Sequence, residues 1–144
     1  MRSLRAGDEL ILHDVFGDIS YKDVGIFFVG GAGVTPFIAI FKQLEKEKAI
    51  GSNKLISANK TKADIILEER FSALLGGNFI NVLSRETVAG YEQGFVTAAL
   101  IKRYIVDGQT GYVYLCGPDP MMAAVQGHLA DLGIKGDFIV MEAF

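Results

Sequence analysis

Apolar and polar positions fall into two alternating patterns along the chain. Short apolar runs recur at residues 25–30 (GIFFVG), 54–59 (KLISAN), 78–84 (NFINVLS), 111–116 (GYVYLC) and 137–141 (DFIVM). Runs of this kind, bounded by polar or glycine-containing turns, predict strands buried on both faces of a parallel sheet. Between them the apolar spacing changes to three and four. Residues 35–48 carry Phe37, Ile40, Phe41 and Leu44 on one stripe, with Pro36 suited to a first helical turn. Residues 63–75 and 96–106 read as further helices. Residues 118–132 read as another, with Met122, Val125, Leu129 and Leu132 on one face and Gly133 placed to end it. Ahead of this series, residues 7–15 read as a separate strand and 16–23 as a polar, turn-prone connector. Strands alternating with helices predict an α/β fold: a doubly wound, mainly parallel, five-stranded sheet with helices on both faces.

Composition narrows the function classes. At 144 residues, half of them hydrophobic, the chain can bury a core without disulfide or metal staples. A net charge of −3 with no run of like charge gives no footprint for nucleic acid or an anionic membrane. Cys116 is the sole cysteine, which rules out an internal disulfide and leads us to expect a reducing, cytoplasmic setting. His13 and His128 make no metal-ligand spacing with it, so no metal is expected. Residues 24–41 are uncharged and approach the ~18 residues of a minimal membrane span. Gly25, Gly30, Gly31, Gly33 and Pro36 divide them into a strand and a helix, so a buried strand–turn–helix is expected instead. No apolar stretch directly follows Met1 to Arg5, so no signal peptide is expected.

Two turns carry candidate chemistry. The first, Gly30-Gly31-Ala32-Gly33-Val34-Thr35-Pro36, joins a strand's C-terminal end to a helix's N-terminus. Such a turn lets the backbone approach a ligand and aims unpaired N–H groups and a partial positive charge at phosphate. Its glycines do not have the G-x-G-x-x-G spacing, and a tight structural turn is the alternative reading. The second, Cys116-Gly117-Pro118-Asp119-Pro120-Met121-Met122, has the same placement at the ligand edge of an open sheet. A cysteine ending an apolar strand is also an ordinary core residue, and no His or Asp beside it in sequence marks it as a nucleophile.

GGAGVTPF, SRE and CGPDPMM occur here in an order and at intervals that resemble the ferredoxin/flavodoxin–NADP reductase family, specifically its NAD(P)-binding domain. The resemblance implies that residues 24–144 form a Rossmann-like, nicotinamide-nucleotide-binding domain. Residues 1–23 are similar to the final strand of the family's flavin barrel and its connector. It further implies that Gly30, Gly31, Gly33, Thr35 and Pro36 line the pyrophosphate and nicotinamide side, with Cys116 and Gly117 beside the nicotinamide and Pro118 and Met121 shaping that wall. Glu142 and the terminal Phe144 resemble an acidic and aromatic pair near the flavin. Cys116, Glu142 and Thr35 are then the candidates closest to the reacting atoms. Ser84 and Arg85 end the third strand, where the adenosine ribose is read. A hydroxyl with a guanidinium suits a 2′-phosphate, so NADP is expected ahead of NAD, with Glu86 leaving the NAD reading open. Asn59 and Lys60 are further contacts, and Tyr91 is placed to stack on adenine.

The family's chemistry is hydride exchange between a nicotinamide and a flavin, followed by electron transfer to flavodoxin, ferredoxin or another iron–sulfur protein. Its flavin-binding barrel, with an R-x-Y-S/T motif, has no counterpart in this sequence. FAD therefore belongs to a partner domain, and the isolated chain is expected neither to hold flavin tightly nor to reduce an acceptor by itself. Gly94-Phe95 stands where the family often has Gly-Arg, which bears on the NADP reading. Two other readings share these motifs: a non-catalytic nucleotide-binding subunit, and the NADH-dependent reductase domain of an oxygenase.

Overall fold

The computed structural model describes residues 21–104, 111–134 and 136–143, apart from the side chains of Asp137, Glu142 and Ala143. The strand expected over residues 7–15, and Phe144, lie outside the described residues. The sheet has the strands β1 (Gly25–Gly30), β2 (Lys54–Asn59), β3 (Phe79–Leu83), β4 (Glu92–Gln93), β5 (Tyr112–Gly117) and β6 (Ile139–Ala143). Their order is β4-β3-β2-β1-β5-β6, and every neighbouring pair is parallel. The expected five strands become six. The addition is the two-residue β4, a polar edge strand without the apolar run that marks the others, paired through Val82 to Glu92 and Leu83 to Gln93.

Helices cover both faces, as the pattern predicts. On one face Phe27 and Val29 of β1 meet Phe37, Phe41 and Leu44 of α1 (Thr35–Lys46) and Phe71 and Leu75 of α2 (Glu68–Leu75). On the other, Phe28 and Ile56 meet Leu100 and Ile101 of α3 (Ala98–Tyr104) and Met122, Val125 and Leu129 of α4 (Asp119–Asp131). Alternation along β1 thus feeds two cores at once, and Phe27, Phe28 and Val29 are all 0% exposed. Complete burial of each such side chain contributes roughly 1.5–3 kcal/mol.

Residues 63–75, expected as mostly helix, divide. A short 3-10 turn spans Lys62–Asp64, closed by a capping box between Thr61 and Asp64, and the chain is extended at Ile65. Leu67 is left-handed at φ 54° before α2 begins. Side-chain bonds to the backbone offer this segment an alternative to the helix that its spacing favours.

At the sheet's N-terminal edge, the entering segment is held by buried polar groups. The Tyr114 hydroxyl accepts from the backbone N–H of Lys22 (2.9 Å) and Asp23 (3.0 Å) and donates to the Asp23 carbonyl (2.7 Å). Asn53, 0% exposed, accepts from Gly25 N–H through Oδ1 and donates through Nδ2 to Tyr21 Oη and the Ile50 carbonyl. The rings of Tyr21, Tyr114 and Phe27 stack in sequence, the last two with centroids 4.2 Å apart.

Candidate functional site

The strand order reverses direction at β1. The chain builds outward through β2, β3 and β4, then returns to place β5 on β1's other side. In an open α/β sheet the loops diverge at such a switch point and leave a crevice at the carboxyl edge. The two turns singled out from sequence, after β1 and after β5, both open there.

The turn after β1 is tighter than its sequence implies. A 3-10 turn over Gly31–Val34 follows the strand directly and runs into α1. Gly31 makes this possible at φ 53°, a left-handed conformation that a side chain would strain. The Thr35 N–H is already bonded to the Ala32 carbonyl, so Thr35 and Pro36 lie a turn inside the helical run. The leading N–H groups, free of helical partners and at the positive end of the dipole, belong instead to Gly31 and its successors.

Gly33 serves a different purpose. A Cβ there would lie 2.2 Å from the carbonyl oxygen of Cys116 and 3.0 Å from Gly117 Cα. The two turns therefore pack backbone to backbone, and Pro118 and Met121 pack over Gly30. Cys116 is 1% exposed within the aromatic core that includes Phe27 and Phe37, in register with Val29 on one side and Glu142 on the other.

A cavity of about 850 Å³ opens from this junction. Of the predicted site residues, Gly30, Gly31, Asn59, Lys60, Ser84, Pro118 and Met121 line it. Gly33, Thr35, Pro36, Arg85, Tyr91, Cys116 and Gly117 are not in its lining; Cys116 and Gly33 lie beneath it, in the packed junction. The Glu142 side chain and Phe144 lie outside the described residues. Sequence reasoning missed Ala32, Asp64, Ile66, Phe95 and His128, which also line it. Phe95 is 75% exposed and Ile66 37%, two large apolar side chains open at the same cavity. Both belong to irregular segments, where periodicity carries no signal. The glycine before Phe95, at φ 109°, was the available cue. A second cavity, of about 290 Å³, opens at the opposite edge beside Asp23, Ser52, Lys54 and Tyr112.

One wall of the cavity at the junction comes from the segments after β2 and β3. Their backbones continue the ladder, with Ser84 N–H donating to the Asn59 carbonyl (3.0 Å) and Arg85 N–H to that of Lys60 (2.9 Å). Behind the wall Tyr91 Oη donates to Glu68, whose other oxygen accepts from Lys62 Nζ at 2.8 Å. Lys62 Nζ also lies over the Tyr91 ring, 5.5 Å from its centroid. Burial pushes the Glu68 carboxyl up, but hydrogen bonds from Lys62 and Tyr91 outweigh it and hold the group below the ordinary glutamate range. The Lys62 backbone N–H donates to Glu86 (2.9 Å), and Asp64 accepts from both N–H and Oγ1 of Thr61. Arg85 is exposed and forms none of the ion pairs found among the described residues.

Among the described residues no three His, Cys, Asp or Glu side chains converge as a metal site, and no helix is long and apolar enough to cross a membrane.

A family model of the oxidoreductase NAD-binding domain matches residues 27–127. A subunit of the Na(+)-translocating NADH-quinone reductase of Actinobacillus pleuropneumoniae is 29% identical, over 99% of this chain and 38% of that protein. The corresponding protein of Yersinia pestis is 30% identical, with the same coverage. The chain thus spans 38% of the length of these relatives. Among solved structures, the FAD/NAD binding domain of nitric oxide dioxygenase from Vibrio cholerae has a TM-score of 0.77 at 23% identity, covering 90% of this chain and 54% of that one. A ferredoxin NADP+ reductase from Neisseria gonorrhoeae, solved with FAD and NADP, has a TM-score of 0.69 at 21% identity, covering 84% and 56%. These two share the fold. The switch-point crevice and the family match converge: the chain belongs to the oxidoreductase NAD-binding domain family.

Proposed function

We propose that this chain binds a nicotinamide dinucleotide across the β1/β5 switch point and presents it for hydride exchange with a flavin held by a neighbouring domain. The observation that carries this is Gly31, left-handed, with open space beyond its chain neighbours where a Cβ would stand, at the start of a turn that lines the cavity of about 850 Å³. A pyrophosphate fits that opening, because backbone N–H groups and the helix dipole face it without a side chain between. The cavity's volume lies within the ~300–1,000 Å³ usual for cofactor sites.

The chain's residues orient and enclose. Gly31 and Ala32 take the phosphates, Ile66 and Phe95 enclose the adenine, and Pro118 and Met121 form the nicotinamide wall. Thr35, Pro36, Gly33, Gly117 and Cys116 hold the two turns together beneath it. Glu142, in register with Cys116, and Phe144 are assigned to the flavin side. When bound, the nicotinamide supplies a hydride that the flavin accepts, and the protein contributes alignment and exclusion of water. The electron acceptor beyond the flavin is an iron–sulfur protein, ferredoxin or flavodoxin. The similar reductases take their name from both NADH and a quinone, which favours onward transfer through a further carrier over a purely nucleotide-holding role.

Between the two dinucleotides, the geometry supports NADH. Asp64 puts a carboxylate on the cavity wall, where it would accept from a free ribose hydroxyl and repel a 2′-phosphate. The second reading, NADPH, rests on Ser84 in the lining with the exposed Arg85 beside it. Calorimetric titration of the chain with both dinucleotides tests this. NADH binding tighter than NADPH, with the gap narrowed by Asp64→Asn, is expected. Tighter NADPH binding that Arg85→Ala abolishes would establish the second reading, and binding of neither would refute the proposal.

A further inference from the structure

The wall that faces the adenosine half is made of two segments, residues 59–68 and 84–95. Asn59, Asp64 and Ile66 come from the first, and Ser84, Gly94 and Phe95 from the second. Among the described residues, backbone bonds tie them only where the second segment begins, through the Ser84 and Arg85 N–H groups, and its far end is held to β3 instead, by the Gly94 N–H on the Leu83 carbonyl (2.8 Å). Between those ends the connection is made by side chains. Tyr91 Oη donates to Glu68, Lys62 Nζ bridges Glu68 and the Tyr91 ring, and Glu86 receives the Lys62 N–H. Tyr91 is half-buried but not in the cavity lining, and Lys62 lies over its ring. Glu68 follows directly on the left-handed Leu67, so the bond also pins the point where the first segment turns into α2.

We propose that Tyr91 is a positioning residue: through its hydroxyl on Glu68 it locks the 84–95 segment against the 59–68 segment and fixes the wall that receives the adenosine half. This deepens the nucleotide-binding reading and rests on it for its consequence, but not for the latch itself. The ring of Tyr91 is then not a stacking surface, and its hydroxyl is the working group. A phenylalanine in its place would keep stacking and lose the latch.

The experiment uses the full chain, its Tyr91→Phe and Glu68→Ala variants and the double variant, with ADP-ribose and nicotinamide mononucleotide as probes in calorimetry. Each single variant is expected to weaken ADP-ribose binding about tenfold, the scale of a lost hydrogen bond to a charged group. The double variant is expected to be no weaker than either single, because both remove one coupling. Mononucleotide binding is expected to stay unchanged. In parallel, amide exchange of Gly94 and Lys62 should accelerate in Tyr91→Phe while Gly25, bonded to Asn53 at the far edge, should not. ADP-ribose binding at parental strength by Tyr91→Phe, or additive losses, would overturn the latch, as would unaltered exchange at Gly94 and Lys62. Failure of the parent to bind ADP-ribose would instead overturn the nucleotide reading, with the exchange rates still deciding the latch.

Discussion

Gly31 and Gly33 are two residues apart in one turn and meet opposite constraints. A methyl on Gly33 runs into the Cys116 carbonyl, which belongs to the backbone and has no rotamer in which to retreat. Gly33→Ala is therefore expected to cost about 1–3 kcal/mol, the range for overpacking, in urea unfolding. A methyl on Gly31 meets nothing, so its cost is conformational, roughly 1–2 kcal/mol for holding an alanine left-handed. The added methyl would also occupy the space offered to phosphate, so Gly31→Ala is expected to weaken dinucleotide binding more than tenfold, beyond any effect of stability. Equal binding by Gly31→Ala and the parent would remove Gly31 from the site. The sequence marked this turn as a candidate phosphate site, with a tight structural turn as the alternative. It did not say which glycine faces a ligand and which faces another loop, because that depends on a strand distant in sequence. The same limit applied to Cys116, whose neighbours are Val29 and Glu142 across the sheet.

Among the elements, the strands were the most legible part. The bounds of β1 and β2 coincide with the apolar runs, and Phe37, Phe41 and Leu44 are the buried stripe of α1. Burial on both faces leaves few polar positions to obscure such runs. The segments at the cavity were least legible. The capping box at Thr61 and Asp64 interrupts a helical spacing, and β4 is a polar edge strand. Asp64, Ile66 and Phe95 were missed for that reason, since they sit in these irregular stretches. One element carries a prediction of its own. Tyr114 in β5 anchors the segment entering β1, and Tyr114→Phe would leave the Lys22 and Asp23 N–H groups without their acceptor. A loss of about 1–3 kcal/mol in denaturant unfolding is expected. Burial, ahead of other influences, raises the pKa of this phenol. A raised folded-state pKa means that its contribution is complete below the ordinary tyrosine value and declines as pH rises above about 10. The stability of the parent should therefore fall faster than that of Tyr114→Phe in this alkaline range. Parallel curves in pH-dependent unfolding would show that Tyr114 does not carry the effect.

For the molecule as a whole, two aromatic and aliphatic cores hold the sheet rigid, while the carboxyl edge is left open at the β1/β5 switch point. On the proposed reading, the domain holds the nucleotide at this edge and a flavin supplied from elsewhere reacts with it. The chain spans 38% of the length of its curated relatives. We therefore expect NAD(P)H oxidation by this chain to require a flavin-bearing domain supplied alongside it. Flavin-like absorption retained by the purified chain would argue against that. Every functional step depends first on a dinucleotide lying at the helical N-terminus that begins with Gly31. Amide-resolved NMR titration with NADH decides whether it does. Saturable shifts are expected at Gly31 and Ala32 and, along the adenosine wall, at Ser84 and Phe95. Shifts confined to Gly25, Ser52 and Tyr112 around the smaller opposite cavity, or none at about 1 mM NADH, the upper end of usual substrate affinities, would refute the placement.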